Sequence, residues 1–98
     1  MTAPEGTRRL VGMDLQNSEE SEAIIEAIRQ VNPEAAVRRS PGLLRVEVPS
    51  RMEIHRTLVE EHLRRAWDTQ ELNLSLVSFF GEIAEWDEDR IVIAWQHL

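Results

Sequence analysis

The chain has 98 residues, 42% of them apolar and 30% charged, the balance of one folded domain rather than of a disordered segment. It contains no Cys, which excludes disulfide staples, thiolate nucleophiles and cysteine-ligated zinc or iron–sulfur centres. Its 18 Asp and Glu outweigh 11 basic residues, all of them Arg, so the net charge is −7; this argues against a phosphate-backbone partner, and the lack of Lys removes Schiff-base and P-loop chemistry.

No apolar run approaches the ~20 residues that span a bilayer. Met1 to Gly6 is polar and lacks the apolar core of a signal peptide. The expectation is a cytoplasmic binding or regulatory module with neither membrane nor nucleic acid as a partner.

Residues 1–9 read as a flexible tail and residues 10–98 as one domain. Leu10 to Leu15 alternates, with Val11, Met13 and Leu15 on one side, and reads as a first strand. Asn17 and Ser18 can both cap a helix, and Glu20 stands in the capping-box position relative to Asn17. Ile24, Ala27, Ile28 and Val31 recur at helical spacing, predicting a helix over 18–31 that Asn32-Pro33 ends. Ala36 to Ser40 and Leu44 to Val48 form a hairpin around Pro41-Gly42. Ser50-x-x-Glu53 reads as a capping box for a second helix running to Ala66, with Leu58, Val59, Leu63 and Ala66 inward. On that helix Glu60 with Arg64, and Glu61 with Arg65, have i,i+4 spacing.

From Leu72 the period becomes two, with Leu72, Leu74 and Leu76 on one face. The apolar phase then slips to Val77, Phe79 and Ile83, which predicts a bulge near Leu76-Val77-Ser78. Asp87 to Arg90 is a polar turn, and Ile91, Ile93 and Trp95 a last strand. The expected order is β-α-β-β-α-β-β: an α+β domain with a mixed, mainly antiparallel sheet and two helices.

Chemistry-bearing constellations are scarce. His55 and His62, seven apart within the second helix's apolar stripe, are separated by ~10 Å of rise, too far to share an ion without a bend. They read as structural, and His97 as exposed. Asp87-Glu88-Asp89 lacks the length and the twelfth-position Glu of a calcium loop. The adjacent Glu pairs 19–20 and 60–61 point outward from helices. No Ser sits in a nucleophile elbow, and Gly12 and Gly81 are isolated rather than parts of a phosphate loop. These features argue against an enzyme, and no cofactor or metal is expected. The unusual stretch is Asn73 to Gly81, where small residues stand beside Phe79 and Phe80 at the phase slip. A strand there has one face to offer a partner, although both rings could instead pack inward.

Asp68 to Ile83, DTQELNLSLVSFFGEI, resembles the corresponding region of the methane monooxygenase regulatory protein B / phenol hydroxylase protein M family. The likeness extends to Val11-Gly12, to Ala23 to Ile28, to Val37, to Leu44 to Val48 and to Asp89 to Trp95. It thus covers roughly residues 10–95, carried by order and spacing rather than by one short motif. The resemblance implies a cofactor-free effector of a soluble bacterial diiron multicomponent monooxygenase. Such a protein docks on the hydroxylase α-subunit and shifts the helices lining its active site. It thereby couples electron delivery, from a flavin and iron–sulfur reductase, to hydroxylation. The positions matching the family's gating strand are Ser75, Val77, Ser78 and Phe79, with Val77 and Phe79 bulkier or more apolar than in some members. The chain lacks the long N-terminal extension of the methane-type proteins, and its size suits the phenol, toluene, alkene or propane branches. The reading from residues alone leaves open a small α+β module that senses a ligand or binds another protein.

Overall fold

A computed structural model of the chain describes residues 9–95; most of the expected tail, and His97, lie outside them. Leu10–Gln16 forms β1, Glu19–Val31 α1, Ala36–Ser40 β2 and Leu43–Pro49 β3. Arg51–His55 forms β4 and Arg56–Leu63 α2. A 3-10 turn at Thr69–Glu71 leads into the single-turn helix α3, Leu72–Ser75, and then β5 (Leu76–Phe80), β6 (Glu82–Trp86) and β7 (Arg90–Ala94) follow.

The domain is α+β, as expected, but its strands form two sheets rather than one. Strands β2-β3-β1-β5 make a four-stranded sheet and β4-β7-β6 a three-stranded one. Every strand pair is antiparallel, so the sheet is not mixed. Both sheets and the first two helices close on one core that includes Val11, Met13, Leu15, Ile24, Ile28, Val46, Met52, Ile54, Val59 and Ile93. Gly81, with φ +115°, carries the chain from β5 in one sheet to β6 in the other. A Cβ there would stand 2.7 Å from Ile93 Cγ2 and 2.9 Å from Val11 Cγ1. Among the described residues, no helix is long and apolar enough to cross a membrane.

Several local expectations are corrected. The first helix is capped by Ser18, whose Oγ accepts the Ser21 N–H at 3.0 Å, and not by an Asn17–Glu20 box. Glu20 instead accepts the Trp67 indole N–H and pairs with Arg65. The Ser50–Glu53 capping box does not form. Ser50 takes φ 67° between two strands, and Met52 and Ile54 are fully buried in β4. The physical reason is that 51–55 alternates strictly, and burial of Met52 and Ile54 against β7 outweighs a local cap. The Glu53 backbone N–H and C=O are taken by the side-chain amide of Asn32, which substitutes for a neighbouring strand at this edge.

The second helix therefore holds only eight residues and stops at Leu63, because Arg64 adopts the left-handed conformation, φ 60°. Ala66 lies beyond it and is exposed. Glu60 consequently pairs with Arg56 and not Arg64, while Arg65 bridges Glu20 and Glu71 and leaves Glu61. The two histidines do not share a helix: His55 ends β4 beside Glu53, and exposed His62 lies 2.7 Å from Gln30 Oε1.

Residues 72–75 are helical rather than extended. Asp68 and Glu71 form a reciprocal capping box, with the Gln70 N–H donating to Asp68 and the Asp68 N–H to Glu71. Leu72 is thereby buried while Leu74 is 74% exposed, so the two leucines do not share a face.

A bulged edge strand as candidate interface

The predicted bulge is present. Across β1 and β5, Phe80 stands opposite Gly12, Phe79 opposite Met13 and Ser78 opposite Asp14, but Leu15 is opposite Leu76. Val77 is the extra residue. The extra residue puts Val77 outside the ladder, while Phe79, in register opposite Met13, is exposed because β5 is the free edge of the sheet. They are 54% and 43% exposed, and with Leu74 and Ile83 they place four of the five exposed large apolar side chains of the described residues within 74–83.

The four sequence-predicted positions divide. Val77, Ser78 and Phe79 come together on the exposed strand. Ser75 does not join them: it closes α3 and is buried. Phe80 is the less exposed of the two rings. It lies against Gly12, where a Cβ would be 2.7 Å from Phe80 Cζ, and the Arg45 guanidinium sits 5.1 Å from its centroid. Glycine therefore lets an aromatic ring cover the backbone of the central strand.

Beneath the bulge lies a polar group that sequence reading missed. Asp14 is buried in the middle of β1. Arg45 Nε and Nη2 donate to its two oxygens at 2.8 and 2.9 Å, and the Ser78 hydroxyl donates to Oδ2 at 2.9 Å. These Arg45 bonds hold the Asp14 carboxyl below its ordinary range; Ser78 acts in the same direction, and burial opposes both. The legible signal was the registry of Asp14 and Arg45 on neighbouring alternating strands, each on the face opposite the apolar residues.

The segment leading into the strand is also held by polar contacts. The buried Trp67 donates its backbone N–H to Glu60 and its indole N–H to Glu20, and the Thr69 hydroxyl donates to the Asp87 carbonyl at 2.6 Å. A cavity of about 400 Å³ opens beside it, lined by Arg56, Trp67, Asp68, Glu71, Glu88 and Asp89. Its one cation, Arg56, already faces Glu60 and Asp89. Among the described residues, no group of three or more His, Asp or Glu is arranged to hold a metal ion.

A small two-sheet domain that displays an apolar, bulged edge is built as a protein-binding module. The chain belongs to the MmoB/DmpM family, whose model matches residues 9–94. It is 40% identical over 88 residues to the stimulatory component DmpM of phenol 2-monooxygenase from Pseudomonas sp. (strain CF600), covering 90% of this chain and 97% of that one. Its structure matches a chain of a phenol hydroxylase–regulatory protein complex with a TM-score of 0.82 at 32% identity, over 90% of this chain and 100% of that one. The regulatory protein B of soluble methane monooxygenase shares the fold, with a TM-score of 0.69 at 20% identity, over 89% of this chain and 65% of that one.

Proposed function

We propose that this chain is the non-catalytic regulatory component of a bacterial multicomponent monooxygenase, acting in the cytoplasm on a diiron hydroxylase that a flavin and iron–sulfur reductase supplies with electrons. Family membership supports the role. The observation that carries the site is the bulge at Val77 on the sheet's edge strand, whose central residues Val77, Ser78 and Phe79 are all exposed. Val77, Ser78 and Phe79 form the contact, and buried Ser75 supports it from behind. A regulator of this kind needs no nucleophile, only a surface that binds one conformation of its partner better than another. Moving an equilibrium from 1:99 to 99:1 takes ~5.5 kcal/mol of differential affinity, which a few well-buried apolar anchors in one interface can supply. The hydroxylation substrate is set in the hydroxylase pocket, on another chain.

The test is reconstitution of hydroxylase and reductase with and without this chain, scored as product formed per NADH consumed. In the same system Phe79→Ala lowers affinity for the hydroxylase by ~1–3 kcal/mol. The free protein loses clearly less stability than the ~3–5 kcal/mol that truncating a core Phe costs, because the ring is 43% exposed. Unchanged affinity with a large loss of stability would place Phe79 in the core and remove it from the interface.

A further inference from the structure

We propose that Asp14 is the positioning residue of the bulged strand: its buried carboxylate, clamped by Arg45, takes the Ser78 hydroxyl and so fixes Val77 as the residue that leaves the sheet. The inference deepens the docking role proposed above, on which it rests, by naming the internal group that sets the geometry of the contact.

Between Leu15↔Leu76 and Met13↔Phe79, β1 supplies one residue, Asp14, and β5 supplies two, Val77 and Ser78. Either could stand opposite Asp14, and the other would then be the extra residue. The two arrangements differ in what the carboxylate meets. With Ser78 opposite, Oδ2 receives a hydroxyl at 2.9 Å. With Val77 opposite, it would meet a branched hydrocarbon and lose that donor while still buried, and a buried carboxylate with a missing partner is costly. Arg45 holds both carboxylate oxygens in a bidentate grip, so Asp14 cannot turn away toward solvent. The same guanidinium faces the Phe80 ring, which fixes the far end of the strand. Asp14 thus selects one of two registers, and only the observed one brings the Ser78 hydroxyl onto the carboxylate and leaves Val77 outside the ladder.

The experiment uses the full chain carrying Ser78→Ala, Asp14→Asn or both, with Ser78→Thr as the variant that keeps a hydroxyl. Amide hydrogen exchange of residues 76–80 is followed in the free protein, alongside affinity for the hydroxylase. Ser78→Ala and Asp14→Asn each speed exchange in β5 and weaken binding about tenfold, as expected for loss of a charge-assisted hydrogen bond. The double variant is no weaker than the worse single one, because both remove the same link. Ser78→Thr retains the protection. Wild-type exchange in Ser78→Ala overturns the proposal whatever the partner does, and so do losses that multiply in the double variant. Failure of the wild-type chain itself to bind hydroxylase overturns the docking role instead, and exchange in the free chain still decides the part assigned to Asp14.

Discussion

Asp14 ties a buried carboxylate on the central strand to the exposed edge strand through the Ser78 hydroxyl. Its carboxyl is depressed by Arg45, so in the folded state it stays ionised to lower pH than in the unfolded chain. A depressed folded value means the contribution is fully present above the unfolded value of ~3.9 and is lost as pH falls through the folded one. Glu53, Glu60 and Asp87 are depressed as well, through His55, the Trp67 N–H and the Arg90 N–H respectively. Acid unfolding therefore begins below about pH 4 and draws on several carboxylates at once. In Asp14→Asn the stability at neutral pH is lower and its fall below about pH 4 is shallower, since one of the linked protons is gone. Denaturant melts of both proteins at a series of pH values measure this, and parallel curves would show that Asp14 is not among the linked groups.

At the scale of elements, two backbone positions are testable without touching the interface. Arg64 ends α2 in the left-handed region, where a side chain is strained and glycine is at ease. Arg64→Gly raises stability by ~0.5–1 kcal/mol, read from the urea midpoint at unchanged slope. Gly81 is the opposite case, since φ +115° and the contacts with Ile93 and Val11 both reject a Cβ. Gly81→Ala destabilises by ~2–4 kcal/mol, measured in the same melts, because the clash falls between the two sheets where neither side chain can retreat. Both features escape a reading of periodicity, which sees apolar spacing but not the backbone conformation joining one element to the next. The helix over 19–31, the hairpin around Pro41-Gly42 and the bulge were legible because each imposes its own period or turn residue. The strand Arg51–His55 was hidden by a competing local signal, Ser50-x-x-Glu53, and tertiary burial of Met52 and Ile54 prevailed over it. The turn Asp68–Glu71 carried the same type of signal, and there it did cap a helix. A capping box says where a helix can begin; whether it does depends on which side chains need burial next.

In the whole molecule, the two sheets leave four edge strands, β2, β5, β4 and β6, and they are protected unequally. At β4 the backbone of Glu53 is occupied by Asn32, and β2 carries Arg38 and Arg39, which pair with Glu47 and Glu22. β6 has its own irregularity at Ala84, between Ile83 and Glu85. β5 is the edge where a bulge coincides with exposed Val77 and Phe79, so burial of apolar surface there should hold the complex together. The net charge of −7 acts at longer range, on how often the partners meet. Asp87, Glu88 and Asp89 are exposed in the turn before β7 and add negative potential to one end of the domain. Such fields reach ~30 Å at 0.01 M salt but only ~8 Å at 0.15 M, whereas desolvated contacts at Val77 and Phe79 are screened far less. Toward a basic rim on the hydroxylase, the association rate should fall as salt rises across that range while the dissociation rate changes little, a partition that stopped-flow mixing at several ionic strengths resolves. Glu88→Gln should flatten the salt slope of association without altering dissociation, and Phe79→Ala should do the reverse. An association rate indifferent to salt would remove the electrostatic contribution and leave the apolar edge as the whole basis of recognition.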